Sequence, residues 1–204
     1  MPGRGLVVLV LTLAAVSVTR LSAADEAPAT LAVDSAASQV AFTVFTSMIF
    51  KSKQEGRFKD FKGEVAYDAQ NPAATRVDLT VYTASVDMKN RDRDDMLRSP
   101  DFFDADRFPT LRFVSKHVGP LHDNMLSVTG DLTIHGITHE VTVPVSIDAL
   151  TSSSRRPGPA FSTTFQIDRT EFGLNGSPKF SGFNISVAKN VQIHLAIVAA
   201  PPRP

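Results

Sequence analysis

The feature that most constrains this chain is a hydrophobic period of two residues, which recurs along most of its length. Alternation of apolar and polar side chains marks five long stretches, at residues 77–82, 126–134, 141–147, 161–167 and 191–197. Such alternation is typical of β-strands that have one apolar and one solvated face. Shorter candidates of the same kind lie at residues 40–46, 54–61, 63–68 and 110–117. About nine strand segments, some of them parts of one bent strand, favour a closed barrel or a two-sheet sandwich.

A turn signal and a proline refine this pattern. His135-Gly136 separates two long alternating runs and predicts a hairpin turn, because glycine tolerates positive φ. Pro144 lies inside a strand although it has no N–H to donate, so we expect either a bulge or a local opening of the sheet beside it. The chain has no internal repeat and no linker. We therefore expect one domain over residues 25–204, with a disordered tail at about 199–204.

The start of the chain has the character of a secretory signal peptide, which we assign to residues 1–24. Arg4 precedes an apolar run over residues 6–18, and the small residues Ser22 and Ala24 then form a cleavage site. The run is shorter than the roughly 20 residues of a membrane-spanning helix, and an uncleaved membrane anchor is the alternative. We expect an exported protein, periplasmic in a bacterium with two membranes.

The composition excludes several classes of protein. Lys plus Arg and Asp plus Glu both number 21, so the neutral chain is unlike a basic nucleic-acid binder. Without cysteine there is no disulfide, thiolate metal site or cysteine nucleophile. The five histidines lack the spacing of a metal site, and no nucleophile elbow of the Gly-x-Ser-x-Gly type occurs. We expect no metal, no cofactor, no nucleic acid as a partner and no enzymatic activity.

One long connection, residues 86–109, breaks the strand pattern. Asn90 or Arg91 can cap a short helix over about residues 90–98 that ends before Pro100. Long connections in compact β domains are often lids, and the alternative is a plug that seals one end of a barrel. Its many aspartates fit an exposed helix face. As an alternative they supply an acid–base pair to an enzyme that acts on a lipid.

Five sequence blocks carry a family resemblance. They are residues 56–63 (GRFKDFKG), 84–87 (ASVD) followed by 90–94 (NRDRD), 97–104 (LRSPDFFD) followed by 108–110 (FPT), 128–138 (VTGDLTIHGIT) and 167–173 (IDRTEFG). Together and in this order they resemble the YceI family of exported polyisoprenoid-binding proteins, and the resemblance covers nearly all of residues 31–198. Met96 stands where the family often has a histidine, and Lys189 where it often has an acidic residue.

The resemblance implies an all-β fold, an extended eight-stranded antiparallel β-barrel of the lipocalin-like kind, with the one short helix in the long connection. It also implies that a long isoprenoid, polyprenyl or quinone-like, or a similar apolar chain is held inside the barrel for transport, storage or sequestration in the cell envelope. From the residues alone, an eight-stranded barrel is either filled by its own side chains or holds one small ligand. The 14 Phe, with 2 Tyr and no Trp, favour a hydrocarbon-lined cavity. An interaction module with a filled interior is the alternative.

Alternation assigns the candidate ligand contacts to the inward faces of the strands and to the long connection. They are Phe42, Val44, Phe58, Leu79, Val81, Phe113, Leu132 and Phe165 on the strands, with Met96, Leu97, Phe102 and Phe103 in the connection. Arg91, Arg93 and Arg98 are headgroup candidates because arginine binds phosphate bidentately, although pairing with the neighbouring aspartates is the role we favour. The expected partners are an apolar lipid, a membrane in transient contact, and a second copy paired at the strand edge near Pro144.

Overall fold

We describe the protein in a computed structural model, over residues 28–47, 50–68, 70–148, 158–176, 179–180 and 183–202. The predicted signal peptide lies outside these described residues. Within them the chain contains an α-helix, α1 (Arg91–Arg98), and two short 3-10 helices, Pro72–Ala74 and Thr83–Ser85. The strands are β1 (Ala29–Val33), β2 (Gln39–Ser47), β3 (Lys51–Phe58), β4 (Phe61–Tyr67), β5 (Arg76–Tyr82), β6 (Val86–Asp87), β7 (Thr110–Val118), β8 (Met125–Ile134), β9 (Ile137–Asp148), β10 (Ala160–Asp168), β11 (Lys179–Phe180), β12 (Phe183–Asn184) and β13 (Ser186–Ala200).

Eleven of these strands form one antiparallel sheet that closes into an eight-stranded barrel. β1 and β2 both pair with β13, and they pair with β4 and β3 respectively; β4 and β3 in turn pair with β5 and β6. The consecutive segments β1 and β2, β3 and β4, and β5 and β6 therefore each form one bent strand of the barrel. Each strand then runs antiparallel to the next, and the pairing of β13 with the first bent strand closes the ring. The predicted all-β, eight-stranded antiparallel barrel with one short helix is confirmed.

The two ends of the chain depart from the sequence prediction. β1 is absent from the predicted strands because its alanine-rich sequence carries little hydrophobic alternation. Ala32 and Val33 of β1 pair with Ala200 and Ala199. Both of these alanines are buried, so the predicted tail boundary at about 199 is wrong, and β13 continues to Ala200.

The barrel wall is open between β9 and β10. These strands pair only through residues 146–148 and 160–162, whereas β9 stays paired with β8 along residues 137–146. Pro144 lies in the separated part, where Thr163 Oγ1 donates a hydrogen bond of 2.5 Å to its carbonyl oxygen. The register between β8 and β9 passes Pro144 without a shift. Of the two outcomes expected for this proline, the structure therefore has the opening and not the bulge.

The connection between β6 and β7, residues 88–109, contains α1 and is called the lid below. Asn90 caps α1, because its side-chain oxygen accepts a hydrogen bond of 3.1 Å from the backbone N–H of Arg93. Aspartates occupy the first turn and Arg98 the last turn, which suits the helix dipole. The lid lies where β6 ends and β7 begins, and this end of the barrel is called the lid end.

The predicted hairpin at His135-Gly136 joins β8 to β9 at the same end. Both residues have positive φ, 51° and 74°, as a tight hairpin turn requires. The His135 ring lies 4.3 Å from the Phe108 ring, measured between centroids. A Cβ at Gly136 would lie 2.6 Å from the same Phe108 ring. The hairpin therefore packs directly against the last residues of the lid.

Candidate functional site

The inward faces of the strands enclose an apolar cavity of about 220 Å³. Its wall draws on strands all round the barrel, with Val65, Leu126 and Ile197 among them. The volume exceeds the roughly 150 Å³ of an apolar cavity that admits benzene, and it falls below the roughly 300–1,000 Å³ of sites for drug-sized ligands. The barrel is thus hollow in part, with room for a segment of hydrocarbon.

Most of the predicted ligand contacts line this cavity. They are Phe42, Val44, Phe58, Leu79, Val81, Leu97, Phe102, Phe103, Phe113, Leu132 and Phe165. Met96, the remaining one, is not among the lining residues. Neighbouring residues of an α-helix point about 100° apart, so Leu97 of α1 reaches the cavity and Met96 does not. The alternation of the strands therefore placed the inward face correctly.

Two glycines make room for phenyl rings of the neighbouring strand. A Cβ at Gly56 would lie 2.3 Å from the Phe42 ring, and one at Gly130 would lie 2.7 Å from the Phe113 ring and 2.4 Å from the Val114 carbonyl oxygen. Contacts this short do not occur between real side chains, so both positions need glycine. Each ring therefore occupies space that a side chain at the glycine would otherwise take.

The lid closes one end of the cavity with apolar side chains. Leu97, Phe102 and Phe103 line the cavity, and the Phe103 ring meets the Phe58 ring edge-on at 5.6 Å. Gly176 packs under the lid, because a Cβ there would lie 2.1 Å from the Asp101 carbonyl oxygen. The lid is therefore part of the cavity wall as well as its cover.

Asp87, where β6 joins the lid, is the electrostatic anchor of this region. Its buried carboxylate lies 3.1 Å from both Arg57 Nε and Lys59 Nζ, and it also accepts a hydrogen bond from the backbone N–H of Lys89. The hydrogen bond from Lys59, followed by that from Lys89, lowers the pKa of Asp87 to about 2. Asp94 adds a second tie, since its carboxylate accepts a bond of 2.7 Å from the N–H of Met88.

The three arginines predicted as headgroup contacts lie on the lid, and none of them lines the cavity. Arg91 is 93% exposed and pairs with Asp95 at 3.8 Å. Arg93 donates to Gln54 Oε1 at 2.5 Å. Arg98 donates to Asp95 at 2.8 Å and to the carbonyl oxygens of residues 84 and 86. Their contacts hold the lid to itself and to the barrel.

Arg169 is a buried, charged residue of the cavity lining that the sequence prediction omits; the other polar lining residues are Thr75, Arg112, Ser162 and Thr163. It is 9% exposed and lines the cavity, at the end of β10. Its guanidinium donates to the carbonyl oxygens of Leu174, Gly176, Val187 and Ala188. Burial lowers the pKa of Arg169 from its usual value, and an arginine remains protonated at neutral pH all the same. An inward direction at a strand end was the signal that could have found it.

Thr75 is the second polar side chain of interest in the wall. It stands just before β5, is 2% exposed and contributes to the cavity lining. Its Oγ1 is buried, and within the described part of the chain it has no hydrogen-bond partner. A buried hydroxyl without a partner costs free energy.

Two negative observations hold for the described residues. Among them, no group of three or more His, Asp or Glu side chains is arranged to hold a metal ion. In the same residues, no helix has the length and apolar character needed to cross a membrane.

These features define a small, partly hollow β-barrel protein with an apolar cavity under a lid. Residues 31–199 match the YceI-like domain family. Because that match covers most of the chain, the protein belongs to the YceI-like domain family. Protein YceI of Escherichia coli is 42% identical over 92 residues, which are 45% of this chain and 48% of that relative. The chain thus spans about half the length of such curated relatives in these matches.

Solved structures agree with this assignment. BcnA of Burkholderia cenocepacia is 30% identical with a TM-score of 0.68, over 82% of this chain and 99% of BcnA. A polyisoprenoid binding domain from Saccharophagus degradans, implicated in plant cell wall breakdown, has a TM-score of 0.62 over 84% of this chain and 98% of that domain. At 14% identity the latter is similar in fold alone.

Proposed function

We propose that this protein binds the apolar chain of a lipid, such as an isoprenoid, inside its barrel without catalysing a reaction on it. The observation that carries the proposal is the apolar cavity of about 220 Å³ that continues under the lid. Membership of the YceI-like domain family supports it, as does the shared fold of a domain described as polyisoprenoid binding. With the predicted signal peptide, the setting we propose is the periplasm.

Energetics favour a carrier or a reservoir over a tight receptor. Removing one methylene from water contributes about 0.8 kcal/mol, so a five-carbon isoprene unit contributes roughly 4 kcal/mol. Eight units would exceed the practical ceiling of about 18–21 kcal/mol for binding. The lipid leaves a membrane in which its chain is already dry, so the net preference for the protein is small. Loose discrimination among apolar chains follows from this.

The size of the cavity limits how a long chain can fit. Because about 220 Å³ is less than a drug-sized ligand usually takes, a long chain needs some lining rings to change rotamer. Phe113 and Phe165 are only half-buried although they face inward. We expect these rings to move outward along the wall when a chain enters.

A matched pair of substitutions on β13 tests the proposal. Ile193 lines the cavity, whereas its neighbour Gln192 is exposed on the outer face. Ile193→Trp fills the cavity, and Gln192→Trp adds the same side chain outside. The measurement is displacement of a fluorescent long-chain lipid by a polyprenol, with thermal unfolding of each variant as the check on folding.

We expect Ile193→Trp to weaken binding at least about tenfold, which is 1.4 kcal/mol, while Gln192→Trp binds as the wild type does. The proposal is contradicted if the wild type takes up no lipid. Equal binding by a folded Ile193→Trp variant would also contradict it, because the chain would then lie outside the barrel.

A further inference from the structure

Arg169 places a positive charge against the apolar cavity. Four of the five N–H groups of a guanidinium are used in the bonds to the carbonyl oxygens of Leu174, Gly176, Val187 and Ala188. Those carbonyl oxygens accept the hydrogen bonds of the guanidinium, but because they are neutral they do not cancel its unit positive charge. A buried charge is costly unless an opposite charge compensates it.

The surroundings of Arg169 supply no carboxylate bond. None of the ion pairs among the described residues includes it. The carboxylate of its neighbour Asp168 accepts instead from the N–H and hydroxyl of Thr170, at 2.8 and 2.6 Å. Residues 172–189, which provide all four carbonyl partners, contain no Asp or Glu. Asp168 therefore acts on Arg169 only through space.

The position of Arg169 makes the two ends of the cavity chemically different. One of its carbonyl partners, Gly176, lies directly under the lid against Asp101 and Phe102. The opposite end of the cavity is lined by Leu126 and Phe161, near the other ends of their strands. The cavity thus has a cationic group at the lid end, whereas at the far end the polar lining groups are uncharged, Thr75, Ser162 and Thr163.

We infer that the ligand is a lipid whose polar end carries an anionic oxygen group, a carboxylate or a phosphate, placed beside Arg169 with the chain running to the far end. This inference rests on the proposed function and names the class of its ligand. Arg91, Arg93 and Arg98 do not serve this role, because they lie on the lid and outside the cavity lining.

Three probes test the inference on the full wild-type protein. Oleate and oleyl alcohol share one chain and differ in the charge of the polar end, and inorganic phosphate tests whether the anion alone is recognised. At pH 8 and 0.15 M salt we expect oleate to bind at least about tenfold more tightly than oleyl alcohol, since charge-assisted hydrogen bonds are the stronger ones. We also expect millimolar inorganic phosphate not to displace oleate.

A second measurement needs no variant. Burial in an apolar site raises the pKa of a carboxyl group, whereas a neighbouring guanidinium lowers it. Carbon-13 NMR of oleate labelled at its carboxyl carbon reports this pKa in the complex. We expect the pKa of bound oleate to lie below that of acetate in the same buffer.

Arg169→Gln removes the charge, and Arg93→Gln on the lid is the matched control. We expect Arg169→Gln to bind oleate and oleyl alcohol with equal affinity and Arg93→Gln to keep the preference for oleate. If Arg169→Gln does not fold, the pKa of oleate bound to the wild type, measured by NMR, tests the inference in its place.

Equal binding of the two probes by the wild type would overturn the inference alone, as would a raised pKa of bound oleate. Displacement of oleate by millimolar phosphate would overturn the requirement for a lipid chain. Binding of neither probe would overturn the proposed function together with the inference.

Discussion

Arginines on the lid and the arginine inside the barrel stand in opposite environments. Arg91 and Arg93 are exposed, and their partners are exposed or half-buried side chains in water. Such surface pairs contribute about 0–1 kcal/mol each. Arg169 is buried, and every bond described for it goes to a backbone carbonyl. We therefore expect substitution of arginine to cost little on the lid and much more in the wall.

This difference shows how the molecule separates its charged surface from its apolar cavity. The lid carries alternating Arg and Asp residues outward, while Leu97, Phe102 and Phe103 face the cavity. Among the described residues that line the cavity few are polar, and we expect these few to affect stability or ligand choice more than the lid charges do. The next four predictions test this contrast, in order of decreasing effect.

Arg169→Gln is expected to have the largest effect on stability. The substitution removes hydrogen bonds that tie residues 174–176 and 187–188 to the end of β10. Leaving a buried carbonyl oxygen without its hydrogen-bond donor typically costs about 1–3 kcal/mol, and several carbonyls lose theirs here. Urea unfolding at neutral pH measures this cost, and a loss below about 1 kcal/mol would mean that Arg169 is not a structural tie.

Two buried threonines are expected to respond to valine with opposite signs. Thr83 is 0% exposed, and its hydroxyl donates to the Phe108 carbonyl oxygen at 2.9 Å, so Thr83→Val should cost about 1–2 kcal/mol. The Thr75 hydroxyl has no such partner in the described chain, so Thr75→Val should stabilise by about 1 kcal/mol. Thermal unfolding of both variants gives the signs, and a destabilised Thr75→Val variant would indicate a bound water at that hydroxyl.

Asp87 is expected to make the lid anchor sensitive to acid. Its pKa in the folded protein is lowered to about 2, so its ionised form stabilises the fold above the usual aspartate pKa of about 4. That stabilisation is lost as the pH falls from about 4 towards 2. Asp87→Asn removes it at every pH. The free energies of unfolding of the wild type and of Asp87→Asn should therefore differ at pH 6 and converge near pH 2. A difference that stays constant with pH would contradict the role of the ionised Asp87 carboxylate.

Arg93→Gln is expected to have the smallest effect. The substitution replaces one exposed donor to Gln54, and exposed surface changes usually stay within about 0.5 kcal/mol. The same urea unfolding measures it. A loss above about 1 kcal/mol would mean that the lid arginines hold the fold as firmly as Arg169 does, which would remove the contrast.

The strands of the barrel wall can be predicted from the sequence because their apolar and polar side chains alternate with a period of two residues. In β2, β5 and β8, alternation alone identifies the inward residues that line the cavity. It also explains Pro144, whose missing N–H coincides with the open stretch of wall. Asn90 was likewise readable as a helix cap from its side chain and position.

Other features depend on long-range contacts that periodicity does not carry. β1 is held by pairing with the far end of the chain at Ala199 and Ala200. Met96 and Leu97 are equally apolar, and only the rotation of α1 decides which one reaches the cavity. Arg169 continues the inward alternation of Phe165 and Ile167, but its role depends on the carbonyl oxygens that surround it.

The most direct test of lipid binding is the identity of what accompanies the protein from its own host. Protein purified from native cells would be extracted with organic solvent, and the extract analysed by mass spectrometry against a mock purification. We predict a long-chain lipid in near-stoichiometric amount that is absent from the mock extract. A lipid-free extract, from folded protein that also takes up no added polyprenol or fatty acid, would contradict the proposed function.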